Sequence, residues 1–426
     1  MLVRSGVRSL TWATTHYPLI GRKISNSGPN VVMFTQTDGA KHPAPNGLKR
    51  RAAMENTTPN TNNFLNWVEI KNFKSIKDLR LDCKRVNVFI GKPNVGKSNI
   101  LEALGLLGAG YDTGRFLKGS VRYKSMKNLF WDFDTSQSIE VASNSGVVAI
   151  SSGLGFKLFN NEDLTGEFKS FSIGAFRSKE FEENLAKPRS VGLVALSAKA
   201  ERIVDESGVS TGSVPDDQDK RKMFNEQLRV VKKYDFSNVT QFENLFQDFL
   251  LPPSGPNLYS VVRRSDELWS EFAELFSEQQ LELVLYDAEQ AFLLQKKIGP
   301  RITQYPYFSI ADTFRRFMFY ITAIQSNKNS VIIFEEPEVH SFPPYTQEMA
   351  YRMIYDDDNQ YFISTHSPYM LHPFIEKMDY KDLNVFITYY KDYQTHVRAL
   401  TEEELTDILD FSTNVFFNLK RFEPDA

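Results

Sequence analysis

Eight residues constrain this chain more than any other feature: Gly91-Lys92-Pro93-Asn94-Val95-Gly96-Lys97-Ser98. Before them, Arg85 to Ile90 is apolar enough to be a buried strand. After them, Asn99 to Leu107 carries apolar residues at helical spacing. Glycine at both ends of the turn permits backbone conformations closed to other residues, so successive N–H groups can turn inward. The helix that follows points its positive N-terminal end into the same turn. Strand, glycine turn and helix in this order predict an α/β fold with a largely parallel sheet flanked by helices.

The eight residues fit the Walker A pattern in full, and the anion that suits them is a triphosphate. Lys97 is placed to reach the β- and γ-phosphates and Ser98 to ligate Mg²⁺. Gly91, Lys92, Pro93, Asn94, Val95, Gly96 and Asn99 complete the expected nucleotide-binding set. ATP and Mg²⁺ are therefore the expected ligands. Val331-Ile-Ile-Phe-Glu335-Glu336-Pro337-Glu338 is a natural partner. Four apolar residues predict a central strand, and two carboxylates emerge at its end. Glu335 stands where an Asp is usual and is expected to hold Mg²⁺. Glu336 is expected to polarise the attacking water. A third strand, Tyr361 to Ser364, runs into Thr365-His366-Ser367-Pro368, which puts the His366 imidazole at the same sheet edge, within reach of a γ-phosphate.

Taken together, these elements resemble the ABC-type ATPases of the SMC, RecF and OLD group, in particular short relatives without a Toprim domain. The opening Val68-Glu-Ile-Lys-Asn-Phe-Lys74-Ser75 matches that group's first strand. The resemblance covers roughly residues 64–125 and 305–400. It implies that Lys74 lies near the adenine or the α-phosphate. It also implies that two heads sandwich ATP, so a homodimer or higher oligomer is expected. The signature segment of the group should precede the helix before the acidic strand. Ser309-Ile-Ala-Asp312-Thr313 occupies that place, without the usual glycine, and Ser309 is the candidate contact, followed by Asp312 and Arg315. Gln137 is the nearest choice for a Q-loop glutamine. Glu338 and His340 match a Glu-Pro-Glu-x-His segment that could serve the head–head interface. About sixty residues follow His366, too few for a Toprim nuclease domain, so any nuclease is expected to act in trans.

Two functions compete within this group. One is a sensor and regulatory ATPase of an antiphage defence system with a separate nuclease or toxin partner. The other is a repair ATPase that binds DNA. A third reading is a scaffold that binds nucleotide and turns it over slowly. Pro93 to Ser98 also suits a translational GTPase, but Asp163-Leu-Thr-Gly166 follows a polar segment and Asn327-Lys328 lacks the later Asp that guanine needs. The Asn-Phe-Lys-Ser opening and the Glu-Glu-Pro-Glu segment point away from a transporter subunit.

Charge and composition set the remaining limits. Residues 1–53 hold eight Lys and Arg against one acid, so the rest of the chain carries the acidic balance behind the net charge of -3. Any DNA contact must then use a local patch rather than a global field. There is one cysteine, Cys83, which fits a reducing, cytoplasmic compartment. No apolar run reaches the length of a membrane span. The expected organisation is a leader and linker over 1–63, the N-terminal part of an ATPase head over 64–200, an inserted and mostly helical lobe over 201–300, and the C-terminal part of the head over 301–426. Within the lobe, residues 223–250 and 265–280 show helical periodicity.

Overall fold

The computed structural model describes residues 62–108, 117, 119–157, 166–176, 200–214, 230–239, 241–245, 248–410 and 415–423. Nearly all of the expected leader lies outside the described residues. The described chain opens on an antiparallel pair, β1 (Trp67–Phe73) and β2 (Ile76–Asp82). It then enters β3 (Val86–Ile90), all five residues of which are buried. The turn through Gly91–Gly96 leads into α1 (Lys97–Leu106). β1 pairs on its other side with β4 (Ile139–Ser143). β5 (Val147–Lys157), β6 (Gly166–Phe176), β7 (Ala200–Val204) and β8 (Ser210–Val214) extend that sheet, all antiparallel. Its order is β2-β1-β4-β5-β6-β7-β8.

A second sheet starts from β9 (Val231–Tyr234). Two helices, α2 (Leu258–Arg263) and α3 (Asp266–Ser277), lead to a separate meander of β10 (Glu282–Tyr286), β11 (Ala291–Ile298) and β12 (Arg301–Pro306). The chain returns through α4 (Asp312–Ser326), β13 (Val331–Glu335), α5 (Pro343–Tyr355), β14 (Gln360–Ser364) and α6 (Pro368–Lys377). It continues with β15 (Leu383–Lys391), β16 (Gln394–Ala399), α7 (Glu402–Asp410) and α8 (Leu419–Phe422). The second sheet runs β16-β15-β3-β14-β13-β9, and every pair in it is parallel except β15 with β16.

Strand periodicity divides the core in two. Val86, Val88, Ile90, Ile332, Phe334, Tyr361 and Ile363 pack with α4, α5 and α6. Phe89, Val331, Ile333 and Phe362 turn the other way, onto α1 and the seven-stranded sheet. A parallel sheet covered on both faces needs apolar side chains of both parities, which is why its strands read as unbroken apolar runs. The register then decides where the loops emerge. Ser364 lies beside Phe89 on one side and Glu335 on the other. The turns after β3, β13 and β14 therefore leave the sheet at one edge, the usual place for a ligand crevice in such folds.

The mostly helical reading of 201–300 is corrected. Among the described residues that stretch holds two helices, and strands take much of the rest. β7 and β8 continue the seven-stranded sheet across the expected boundary at residue 200, and β9 lies in the core sheet. Among the described residues of 223–250, where helical periodicity is read, the chain forms β9. Lys232 and Lys233 interrupt the apolar run there, yet both are buried in the strand because each finds polar partners. The helix expected at 265–280 forms as α3, with Phe272 and Phe276 buried as core.

Candidate functional site

The turn after β3 is shaped by what cannot be there. Gly96 has φ 102°, and a Cβ on it would lie 2.0 Å from Thr395 Oγ1. A Cβ on Gly91 would lie 2.3 Å from the carbonyl oxygen of Thr388. Asn94, at the exposed tip, also has positive φ, a conformation Asn tolerates better than most residues. Lys97 opens α1 and is buried. Its ammonium donates to the carbonyls of Gly91 (3.0 Å) and Lys92 (2.9 Å), across the mouth of the turn. Burial lowers its pKa, against the opposing pull of Glu336, Glu335 and Glu338. Lys92 Nζ is bonded to Glu423 at 2.6 Å, and Asn99 Nδ2 donates to Ser75 Oγ at 2.7 Å.

Glu335 closes β13 directly across from α1. Its carboxylate lies 3.3 Å from Lys233 Nζ and 3.4 Å from Arg122 Nη2, and the nearby Ser98 hydroxyl helps to stabilise its charge. Burial alone would raise its pKa. Lys233, Ser98 and Arg122 outweigh that and hold it below the usual glutamate value, so it is ionised at neutral pH. Arg122 also donates to Glu102 Oε1 at 2.6 Å. Glu102 is fully buried, one turn along α1 from Ser98.

Glu336, the next residue, has φ 43°. Its amide donates to the Ser364 carbonyl at 3.0 Å, pinning this bend to the end of β14. Its carboxylate lies 3.4 Å from His366 Nε2. Burial and the charge of Lys97 lower the His366 pKa, partly opposed by Glu336. The imidazole is thus neutral at pH 7 and able to share a hydrogen bond with a carboxylate, phosphate or water. Glu338 supports this turn from beneath. One oxygen accepts from Thr365 Oγ1 and from the His366 amide, both at 2.7 Å. Burial raises its pKa against those bonds.

So Gly91 to Ser98, Glu335, Glu336 and His366 come together. The other expected site residues make their contacts outside this group, although Lys74 feels the charge of Glu335. Lys74 donates to the Glu102 carboxylate and, at 2.7 Å, to the Arg122 carbonyl. Ser309 is exposed in the turn before α4. There Asp312 carries the side-chain bonds, to Arg315, Arg316 and His340. Gln137 is exposed in the turn before β4. Glu338 is tied to its own chain through Thr365 and His366. Sequence reasoning missed Lys233, Arg122, Ser75 and Thr395. The paired lysines at 232–233 inside an otherwise apolar stretch were the one legible signal among them.

The donor set fits a magnesium ion: one hydroxyl and one ionised carboxylate, for a cation that keeps several waters. The glycine turn, with the Lys97 ammonium at its mouth, fits phosphate oxygens. Among the described residues no cluster of three or more His, Cys, Asp or Glu could hold another metal. No helix among them is long and apolar enough to cross a membrane.

The chain is similar in part to known proteins. Residues 64–185 match the model of the AAA ATPase domain. The uncharacterized protein MJECL10 of Methanocaldococcus jannaschii is 30% identical over 151 residues, which span 32% of this chain and 67% of that protein. Among solved structures, an SMC head bound to the C-terminal winged-helix domain of ScpA is 13% identical with a TM-score of 0.44, over 81% of this chain and 100% of that one. The SMC head domain from Thermotoga maritima is 11% identical with a TM-score of 0.36, over 79% and 99%. The chain is thus related to MJECL10 and carries, across its Walker A turn, a stretch that matches the AAA ATPase domain.

Proposed function

We propose that this cleft binds ATP with Mg²⁺ and hydrolyses it, and that two heads close on the nucleotide. The observation that carries the reading is the parallel register of β3, β14 and β13, which brings the glycine turn to the sheet edge where Glu335 and Glu336 stand, more than two hundred residues away in sequence. Bound between Ser98 and Glu335, Mg²⁺ would neutralise charge on the phosphates. Lys97 offsets the β- and γ-phosphate charge. Glu336 orients and deprotonates the attacking water, and neutral His366 offers its single N–H to the Glu336 carboxylate or to a phosphate oxygen. Ser309, exposed ahead of α4, is the proposed contact to the other head's nucleotide.

For the biological setting, we propose a regulatory ATPase of antiphage defence that works with a separate nuclease or toxin. The support is architectural. Among the described residues, the stretch between α1 and β13 builds short strands and helices, not the long arms of a coiled coil. Tight binding to duplex ends without a partner would favour the repair reading instead.

The test pairs binding with turnover. Wild type is expected to bind ATP and hydrolyse it with Mg²⁺. Lys97→Ala should lose affinity by about 100-fold or more, since the ammonium–phosphate contact is charge-assisted. Glu336→Gln should keep affinity, lose turnover by roughly 100-fold, and sediment as a dimer with ATP. Equal, near-zero turnover in wild type and Glu336→Gln would sink the enzymatic reading.

A further inference from the structure

The hairpin of β15 and β16 does more than close the sheet. Thr395, at its start, is fully buried. Its amide donates to the Ser75 carbonyl at 2.8 Å, and its hydroxyl donates to the carbonyl of Val95 at 3.0 Å. Ser75 Oγ lies 2.6 Å from Thr395 Oγ1, and Asn99 Nδ2 lies 2.7 Å from Ser75 Oγ. The donors can be assigned by elimination. A carbonyl only accepts, so the Thr395 hydrogen goes to Val95. The Ser75 hydrogen must then go to Thr395, and the Asn99 amide supplies Ser75. The result is a one-way chain, Asn99 to Ser75 to Thr395 to the Val95 carbonyl. Each bond polarises the next.

We propose that Thr395 is a positioning residue for the phosphate-binding turn, acting through the Val95–Gly96 peptide; this rests on the Mg·ATP reading of the cleft. A trans peptide is planar, with its C=O and N–H on opposite sides. Holding the Val95 oxygen outward, against β16, therefore aims the Gly96 N–H inward, away from the hairpin. Gly96 cannot carry a side chain there because the hydroxyl of Thr395 already fills the place of a Cβ. At the other end of the turn, the Thr388 carbonyl fills the space a Gly91 Cβ would need. The hairpin thus walls both glycines, and the hydroxyl of Thr395 sets which way the Val95–Gly96 peptide faces. Without that hydroxyl the peptide is free to flip, and a carbonyl would meet the phosphate where an N–H should.

The test is calorimetric titration of the full-length protein with Mg·ATP, alongside steady-state kinetics. Thr395→Val keeps the shape of the side chain and removes the donor. It is expected to weaken ATP binding by about 10-fold, consistent with one lost hydrogen bond to a charged group. KM should rise to match, while kcat at saturation stays within about twofold. Thr395→Ser restores the hydroxyl and should recover most of the affinity. Should Thr395→Val fail to fold by circular dichroism, Ser75→Ala decides, because it removes the donor to Thr395 and the acceptor of Asn99 while leaving the Thr395–Val95 bond in place. A loss of about threefold is expected there. Wild-type affinity in Thr395→Val, or in Ser75→Ala where the valine variant is unfolded, overturns the proposal; so does failure of Thr395→Ser to rescue. Wild type that binds no ATP at all would instead refute the reading of the cleft, and Lys97→Ala separates the two cases.

Discussion

The six-stranded sheet and the β10–β12 meander are built from one chain under opposite constraints. The first is covered on both faces, and β3 and β14 are buried at every position. The second lays Leu283, Phe292 and Leu294 on the core and leaves its other positions half-buried or exposed. β12 is exposed along nearly its whole length, and Ile298 and Ile302 are 63% and 53% accessible. The candidate site residues follow the same division. The Walker A turn, Glu335, Glu336 and His366 stand at the ends of the doubly covered strands, whereas Ser309 follows the exposed meander. Rigid strands hold groups to the tolerance that catalysis needs, and their burial is what makes them rigid.

Substitutions can break that comparison. Phe334 lies in β13 with ring centroids 5.2 Å from Tyr320, 6.0 Å from Tyr234 and 6.3 Å from Tyr361. Phe334→Ala should cost about 3–5 kcal/mol in urea unfolding, from lost transfer energy and the cavity left behind. A loss under about 1 kcal/mol would mean the central sheet is not the stable unit described.

A smaller effect tests the sheet's margin. Lys232 is buried in β9, bonded to Asn327 and Ser330, with its ammonium 3.8 Å from the centroid of the Phe249 ring. Burial without a carboxylate partner lowers its pKa to about 8. The unfolded chain, with an ordinary lysine pKa near 10.4, then binds more protons between these values. Stability from this group is absent below about pH 8 and grows as pH rises toward 10.4. The stability gap between wild type and Lys232→Met should therefore shift in favour of wild type from pH 7 to pH 10. A gap that stays flat across that range would place the ammonium in solvent.

The meander marks the other end of the scale. Ile302→Thr should change stability by less than about 0.5 kcal/mol, since an exposed edge residue has little packing to lose. A cost above about 1.5 kcal/mol would show that β12 is covered in solution.

Local sequence reported the parts of this protein that local rules enforce. A glycine turn between an apolar strand and a helix, and the apolar runs ending in Glu335-Glu336 and Thr365-His366, were legible because burial on both faces leaves an unbroken apolar signature. β11 and β12 were not, since exposed strands carry no such pattern, and β9 was hidden by two lysines whose partners lie about a hundred residues away. The same limit applied within the site. Lys97 and Ser98 announced themselves by spacing, while Lys233, Arg122 and Thr395 acquired their roles only when the parallel register and the closing hairpin brought them to Glu335 and Gly96. Hydrogen bonds and ion pairs of that kind depend on distance in space rather than separation along the chain, so only the tertiary structure could assign them.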